Sequence, residues 1–239
     1  MMKKHLLCYK YIIDLIFPNR CPCCGKFIKY DELICKDCID ELPVMDKYIC
    51  DKCGKPECIC YKKLWYDRCF VTSYYEGKMR DGIINLKYKS GINLAEYFCP
   101  KLVRQIKKAG LTSKIDIVTG VPMTKGSLAV RQYNQANEIA NIISQLINKP
   151  CSNKILKKKY NNVSQHTLSS KDRQKATIGL YSLAKGADVK GKTILLCDDV
   201  ITTASTLNEC AKVLKKAGAK CVICVALATT SIKRSENNV

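Results

Sequence analysis

Two uninterrupted apolar runs in the C-terminal part of the chain predict buried β-strands. They cover residues 194–197 and 221–228, and each is short and bounded by polar residues, as the central strands of a parallel sheet are. Between them, apolar side chains recur at the spacing of one helix face that ends near Gly218: Leu207, Ala211 and Leu214. The pattern predicts an α/β domain with a parallel sheet flanked by helices.

The same reasoning predicts further elements nearer the N-terminus. A strand is expected over residues 115–121, followed by a loop over residues 122–126. Amphipathic helices are expected over residues 94–108 and from Arg131 to about Ile147. Two shorter helices are indicated by single apolar faces: Leu6, Tyr9, Ile13 and Phe17 within residues 1–20, and Met79, Ile83 and Leu86. The first of these should dock on its own protein.

Aromatic and basic residues alternate over residues 61–75, and this stretch has two interpretations. Bases stack on aromatic rings while cations hold phosphates, so it could form a platform for single-stranded nucleic acid. It could equally be a linker that enters a β-strand, with Phe70 and Tyr74 facing the core. We favour the linker and strand.

Seventeen cysteines, most of the N-terminal ones in close pairs, point to metal binding. Four pairs supply eight sulfurs: Cys21 with Cys24, Cys35 with Cys38, Cys50 with Cys53, and Cys58 with Cys60. Two such pairs complete a tetrahedral Cys₄ site for Zn²⁺, and a glycine after a pair lets the backbone curl under the sulfurs. We predict two structural zinc ions in a Cys-rich module over residues 21–62, with no coordination position open for catalysis.

The sequence leaves the combination of these pairs open. Sequential combination, first pair with second and third with fourth, is the simplest. Crossed combination, first with third and second with fourth, also gives two Cys₄ sites. Cys23 is then the odd thiol of its segment, because the spacing makes Cys21 and Cys24 the better ligand pair.

The charge balance points to polyanionic partners. The formal net charge is +20, and two Zn(Cys)₄ units of about −2 each would reduce it to roughly +16. Nucleic acid, an anionic surface or a phosphorylated ligand would suit this excess, although a generally lysine-rich proteome would also produce it. Lys10 and Asp14 interrupt the apolar start, no cleavage site follows, and no stretch is long enough to span a membrane. Together with the many cysteines, this predicts a reducing, cytoplasmic location.

The residues that follow the strand at 194–197 carry the strongest candidate for ligand binding. Asp198 and Asp199 come first, and they suit sugar hydroxyls or Mg²⁺. A turn of small, hydroxyl-rich residues then opens a helix, whose free N–H groups and positive dipole end suit a phosphate: Thr202, Thr203, Ala204, Ser205 and Thr206.

This Asp-Asp-Val-Ile-Thr-Thr-Ala-Ser-Thr stretch resembles the phosphoribosyl pyrophosphate (PRPP) loop of type I phosphoribosyltransferases. The resemblance implies that Asp198 and Asp199 hold the ribose hydroxyls and that residues 202–206 wrap the 5′-phosphate, with Mg²⁺ bound alongside PRPP. The family usually has glycine where this chain has Ala204. A methyl group is tolerable there at negative φ and costly at positive φ. Purine-type members often carry an Asp acid/base where this chain has Thr202, which cannot titrate near neutral pH.

A second segment supplies the pyrophosphate side of the expected site. Thr124, Lys125 and Arg131 follow the strand at 115–121, and the two cations can neutralise pyrophosphate near a helix start. Arg131, Asn134 and Gln135 match an Arg-Gly-Phe-Asn-Gln signature of the family. Residues 150–181 are polar and basic, as a lid would be, and Gln165, Leu168 and Arg173 resemble a further family pattern.

With the cysteine module in front, and Tyr75-Glu-Gly77 leading to Leu86-Lys87-Tyr88, the chain resembles the ComF family of competence-associated phosphoribosyltransferase-like proteins. The expected organisation is a helix at 1–20, the zinc module at 21–62, a phosphoribosyltransferase-like domain at 63–230 and a polar tail at 231–239. The resemblance implies single-stranded DNA handling during DNA uptake, with competence-machinery proteins as possible partners. The alternative is an active phosphoribosyltransferase of nucleotide metabolism with an unknown acceptor.

Overall fold

The computed structural model describes residues 18–43, 45, 49–86, 91–159 and 179–230. In chain order the elements are α1 (Lys36–Asp40), β1 (Arg68–Tyr74), α2 (Gly77–Leu86), α3 (Ile92–Lys108), β2 (Ile117–Gly120), α4 (Lys125–Arg131), α5 (Gln135–Ile147), β3 (Leu156–Lys158), β4 (Tyr181–Leu183), β5 (Thr193–Ile201), α6 (Ser205–Lys216) and β6 (Cys221–Thr229). A 3₁₀ turn, Thr112–Lys114, precedes β2. Residues 1–17 of the predicted N-terminal helix, the patterned residues Gln165, Leu168 and Arg173, and the tail 231–239 lie outside the described residues.

Four parallel strands form the central sheet, in the order β1-β6-β5-β2. The apolar runs predicted as central strands are β5 and β6, which pair along almost their whole length. Strand β2 pairs with β5, with Gly120 opposite Cys197. Strands β3 and β4 form a separate antiparallel pair. The parallel sheet flanked by helices is confirmed.

The sheet has two buried faces because alternate strand residues point to opposite sides. On one face, Leu195 of β5 and Ile223 of β6 pack with α2, α3, α5 and the first half of the cysteine module. On the other, Leu196 and Cys224 pack with α6, β3, β4 and the second half of the module. The predicted face of α2 is confirmed, since Met79, Ile83 and Leu86 are fully buried. Both halves of the module are therefore part of the domain's hydrophobic core.

Two sequence-based boundaries are wrong. Strand β5 continues past Cys197 because Val200 and Ile201 still pair with β6, so both aspartates lie within the strand. The helix expected from Arg131 is two helices: α4 ends at Arg131, Gln132 has a φ of 64°, and Asn134 caps α5. The left-handed backbone at Gln132 interrupts the helix.

The interpretation of residues 61–75 as a linker that enters a strand is confirmed. Phe70 and Tyr74 are buried in β1. Tyr66 is 2% exposed, and its hydroxyl donates a hydrogen bond to the Cys53 carbonyl (3.1 Å). These three rings cannot stack on bases. None of the helices in the described ranges combines the length and apolarity that crossing a bilayer requires.

Candidate functional site

The eight paired cysteines form two compact clusters, and the pairs combine sequentially. Cys21, Cys24, Cys35 and Cys38 make the first cysteine cluster, and Cys50, Cys53, Cys58 and Cys60 make the second. Within each cluster all four sulfurs lie within 4.8 Å of one another. This excludes the crossed combination.

The spacing of the sulfurs fits zinc. The Cys24–Cys35 and Cys50–Cys60 sulfurs are 3.6 and 3.7 Å apart, and Cys53–Cys58 is 4.0 Å. A regular tetrahedron with Zn–S bonds of about 2.3 Å has edges of about 3.8 Å. Four thiolates at these distances leave no ligand position for water or substrate, so the clusters suit a structural metal.

The first pair of each cluster has the same backbone turn, in the repeated sequence Cys-x-x-Cys-Gly-Lys. In the first cluster, the Cys21 carbonyl accepts from Gly25 N (2.8 Å) and the Cys21 N–H donates to Lys26 O (2.8 Å). In the second, Cys50 makes the same two bonds with Gly54 (2.7 Å) and Lys55 (3.1 Å). Both glycines have a φ above +70°, where an L side chain would be strained.

Cys23 lies outside the first cluster, as expected from its spacing. It is buried, and its sulfur lies close enough to Gly82 of α2 that a Cβ built there would be 3.2 Å away. Burial, followed by the charge of Cys21, raises the pKa of Cys23 to about 12. The thiol therefore stays protonated and acts as an apolar contact between the module and α2.

The second cluster packs directly against β1. Gly54 lies so close to the strand that a Cβ there would be 2.6 Å from the Cys69 sulfur. The Cys69 N–H donates to the Asp51 carbonyl (2.8 Å), and the Asp51 carboxylate pairs with Arg68 (2.7 Å). A linker residue, Trp65, donates its N–H to Asn208 of α6 (2.7 Å). The turn of this cluster is thus fixed to the sheet, and the linker that follows the cluster is fixed to α6.

The carboxyl ends of β2 and β5 bring the two predicted ligand segments to one edge of the sheet. The Val121 N–H donates to the Cys197 carbonyl (2.9 Å), so the segment after β2 begins beside Asp198. In open α/β sheets, ligands bind outside the carboxyl ends of the strands, where neighbouring loops diverge. Thr124, Lys125 and Arg131 lie on the β2 side, and Asp198, Asp199 and residues 202–206 on the β5 side.

Asp198 and Asp199 are partly exposed, and each carboxylate also accepts a local backbone bond. Asp198 Oδ1 accepts from Asp199 N (3.0 Å), and Asp199 Oδ1 accepts from Val200 N (2.8 Å). Burial of the carboxyl, followed by the charge of Asp199, raises the pKa of Asp198 well above its ordinary value. A cation or hydroxyl donors at this edge would relieve that unfavourable charge.

The turn from Thr202 to Thr206, called the candidate phosphate loop below, presents an uncapped helix N-terminus. Ala204 is the N-cap of α6 and has no side-chain oxygen to accept a bond from the first turn. The first N–H groups of a helix have no partner within the helix. The hydroxyls of Thr203 and Ser205 bond to each other (2.8 Å). The loop therefore combines free N–H donors with the positive end of the helix dipole.

Ala204 adopts the conformation that makes its methyl group costly. Its φ is 61° and its ψ is 3°, in the left-handed region. An L residue pays about 1–2 kcal/mol there relative to glycine. The Gly-to-Ala departure noted in the sequence is thus a strained position inside the loop.

On the β2 side, Thr124 already has a structural role. Its hydroxyl accepts from Ser127 N (3.1 Å) as the N-cap of α4 and donates to Ser127 Oγ (2.9 Å). Lys125 is exposed and Arg131 is half-buried at the end of the same helix. Of the three, the two cations have side chains available for an anion.

Two lysines near the site were not identified from the sequence. Lys158 of β3 is half-buried, and this burial lowers the pKa of its ammonium group. The positive charge of Arg131 lowers the pKa further, whereas the negative charge of Asp198 raises it. Lys55, from the second cluster, is 1% exposed and bonds to Thr202 of the candidate phosphate loop (3.0 Å). The run Lys157 to Lys159 was a visible signal for Lys158, whereas nothing in the sequence connects Lys55 with the loop.

Comparison with known proteins agrees with this arrangement. Residues 133–238 match a family model described as a phosphoribosyl transferase domain. Residues 12–70 match one described as a double zinc ribbon domain. The division predicted at residues 62 and 63 stays a prediction.

Three curated relatives match most of the chain. Competence protein F of Haemophilus influenzae is 29% identical over 202 residues, which cover 83% of this chain and 85% of the relative. DNA utilization protein YhgH of Escherichia coli is 24% identical over 84% of this chain and 86% of its own length. Competence protein ComFC of Bacillus subtilis is 23% identical over 80% of this chain and 81% of its own length. The chain thus combines a double zinc ribbon region with a phosphoribosyl transferase domain, and it is a homologue of these competence and DNA utilization proteins over most of its length.

Proposed function

We propose that this protein binds PRPP with Mg²⁺ at the carboxyl edge of its sheet and acts in single-stranded DNA handling during DNA uptake. The observation that supports PRPP most strongly is one pair of features on β5 and α6. Two adjacent carboxylates lead directly into an uncapped helix N-terminus. A pentose phosphate needs these two groups together, since its hydroxyls seek carboxylates and its phosphate seeks N–H donors.

In this proposal each group of the site has a distinct role. Asp198 and Asp199 accept hydrogen bonds from the ribose hydroxyls, and the N–H groups of residues 203–206 hold the 5′-phosphate. Lys125 and Arg131 face the pyrophosphate from the β2 side. When bound, Mg²⁺ supplies charge neutralisation of the pyrophosphate, for which carboxylate and phosphate oxygens are suitable ligands.

Calorimetry of PRPP binding in the presence of Mg²⁺ tests this site. Asp198→Asn combined with Asp199→Asn should abolish binding, because amides remove the negative charge that Mg²⁺ and the hydroxyls recognise. Asp188→Asn is the control, since Asp188 is an exposed acid that precedes the amino end of β5, where it pairs with Lys192 (2.8 Å). Unchanged affinity in the double variant would refute the assignment.

DNA handling is supported by the charge and by the relatives. The chain carries 41 Lys and Arg against 21 Asp and Glu. Two of the relatives are named as competence proteins and one as a DNA utilization protein. The affinity for a single-stranded oligonucleotide, measured by fluorescence anisotropy, should fall steeply from low to high salt, because binding releases counterions from the DNA. An affinity that does not change with salt would contradict binding through a basic surface.

Transferase activity on a nucleobase or amine is the second candidate, favoured by the phosphoribosyl transferase domain match. The Thr202 side chain cannot act as a general acid or base near neutral pH. Its backbone carbonyl already accepts a hydrogen bond from the Lys55 ammonium group. Pyrophosphate release from PRPP, screened against nucleobases, amines and single-stranded DNA, distinguishes an active enzyme from a protein that only binds PRPP.

A further inference from the structure

We infer that Lys55, in the turn of the second cysteine cluster, is a positioning residue that sets the orientation of the candidate phosphate loop. Lys55 is the residue that follows Cys53-Gly54, and it is 1% exposed. A lysine is almost never buried to this extent unless its ammonium group is fully paired. The partners of that group are therefore informative.

The ammonium group of Lys55 has three acceptors, all at the end of the sheet that carries the site. They are the Thr202 carbonyl (3.0 Å), the Thr230 hydroxyl (3.1 Å) and the Thr230 carbonyl. Three N–H donors thus meet three oxygens. The Thr230 hydroxyl also donates to the Thr202 carbonyl (3.2 Å), which closes the network around the first residue of the loop.

This network fixes which way the first peptide of the loop points. The chain has no cis peptide bond among the described residues, so the Thr202 carbonyl and the Thr203 N–H point in opposite directions. With its carbonyl held towards Lys55, the peptide directs the Thr203 N–H away from the lysine. A flipped peptide would instead present a carbonyl oxygen where the N–H now lies, and an oxygen there would repel a phosphate.

The zinc ribbon fixes the position of Lys55 itself. The Lys55 carbonyl accepts from Cys50 N (3.1 Å) within the cluster turn, and Gly54 contacts Cys69 of β1 and lies near Ile201, the last residue of β5. The first cluster contains the matching residue, Lys26, whose side chain is exposed and pairs with Asp37 (2.9 Å). Two lysines at the same place in the same turn therefore serve different purposes, and only Lys55 reaches the loop.

This inference rests on the proposed function for its ligand, and it is tested by Lys55→Met with Lys26→Met as the matched control. Methionine keeps the length and apolar stem of the side chain and removes the ammonium group. The first readout needs no ligand: hydrogen–deuterium exchange, resolved by NMR, of the two amides that bond to the loop and to the residue before it, Asn208 N to the Ala204 carbonyl (2.9 Å) and Thr230 N to the Ile201 carbonyl (3.0 Å). We expect exchange of these amides to be about tenfold faster, or more, in Lys55→Met. Exchange of the β6 core, residues 222–227, should not change.

The second readout is PRPP affinity with Mg²⁺. We expect a loss of about 10- to 100-fold in Lys55→Met, the range for a lost charged hydrogen bond, and no loss in Lys26→Met. Metal analysis accompanies both variants and should give two zinc ions per chain. Thr230→Val, which removes only the hydroxyl from the network, provides a milder change in the same direction if Lys55→Met does not fold.

The outcomes separate the inference from the proposed function. Unchanged loop exchange in Lys55→Met with two zinc ions bound would overturn the inference, whatever PRPP does. Loss of one zinc ion in Lys55→Met would also overturn it, because the lysine would then support the cluster and not the loop. Faster loop exchange in a protein whose wild type does not bind PRPP would support the positioning role and refute PRPP as the ligand.

Discussion

Replacing Gly54 by alanine should destabilise the protein much more than the same replacement at Gly25. Both glycines follow the second cysteine of a Cys-x-x-Cys turn, and their φ angles are nearly equal, +72° and +75°. A Cβ at Gly25 meets nothing within 4 Å. A Cβ at Gly54 would lie 2.6 Å from the Cys69 sulfur and 3.1 Å from Ile201 Cδ1, and Cys69 is completely buried in β1.

The two variants share every energy term except one. Each pays about 1–2 kcal/mol for a methyl group at positive φ. Each recovers about 0.4–1 kcal/mol because alanine restricts the unfolded chain. Only Gly54→Ala adds an overpacking cost of about 1–3 kcal/mol, since a buried sulfur in a strand has little room to move. At about 2–4 °C per kcal/mol for a chain of this size, the Tm values should differ by about 2–12 °C.

Thermal unfolding of the zinc-loaded proteins measures this difference. Metal analysis must first show two zinc ions per chain in both variants, so that loss of metal does not explain the result. Equal Tm values for Gly25→Ala and Gly54→Ala would refute the packing of the second cluster against β1. A larger loss in Gly25→Ala would refute it more strongly.

Two further predictions concern the candidate site. Ala204→Gly should leave the Tm within a few degrees of the wild type. The relief of about 1–2 kcal/mol of backbone strain is offset by the loss of a buried methyl group, about 0.8 kcal/mol, and by the greater entropy of the unfolded chain, about 0.4–1 kcal/mol. A large drop in the Tm would contradict the strain at Ala204. The raised pKa of Asp198 means that the free protein gains stability from this group below the unfolded pKa and loses it as pH rises towards the folded pKa. Asp198→Asn should therefore raise the Tm at pH 8 more than at pH 4, and an equal change at both pH values would contradict the raised pKa.

The elements with one clear chemical signal were predictable from the sequence. Paired cysteines with a following glycine indicated both metal clusters, since few other structures require that spacing. The short, bounded apolar runs predicted β5 and β6, because a strand covered on both faces is apolar at nearly every position and a buried helix would need a longer run.

Features that depend on the rest of the fold were not predictable. Lys55 and its partner in the loop are 147 positions apart in the chain, and Lys26 has the same local sequence with a different environment. The separate helix α4 depends on the left-handed Gln132, a residue type with no special preference for that backbone. The choice between sequential and crossed cysteine pairs is also a matter of tertiary contact, since each combination satisfies tetrahedral coordination.

A crystal structure of the zinc-loaded protein with PRPP and Mg²⁺ tests the central claim most directly. The account predicts that the 5′-phosphate oxygens accept hydrogen bonds from the N–H groups of residues 203–206 and that the ribose hydroxyls contact Asp198 and Asp199. PRPP bound elsewhere, or an open loop without density at saturating PRPP while both cysteine clusters hold zinc, would contradict it.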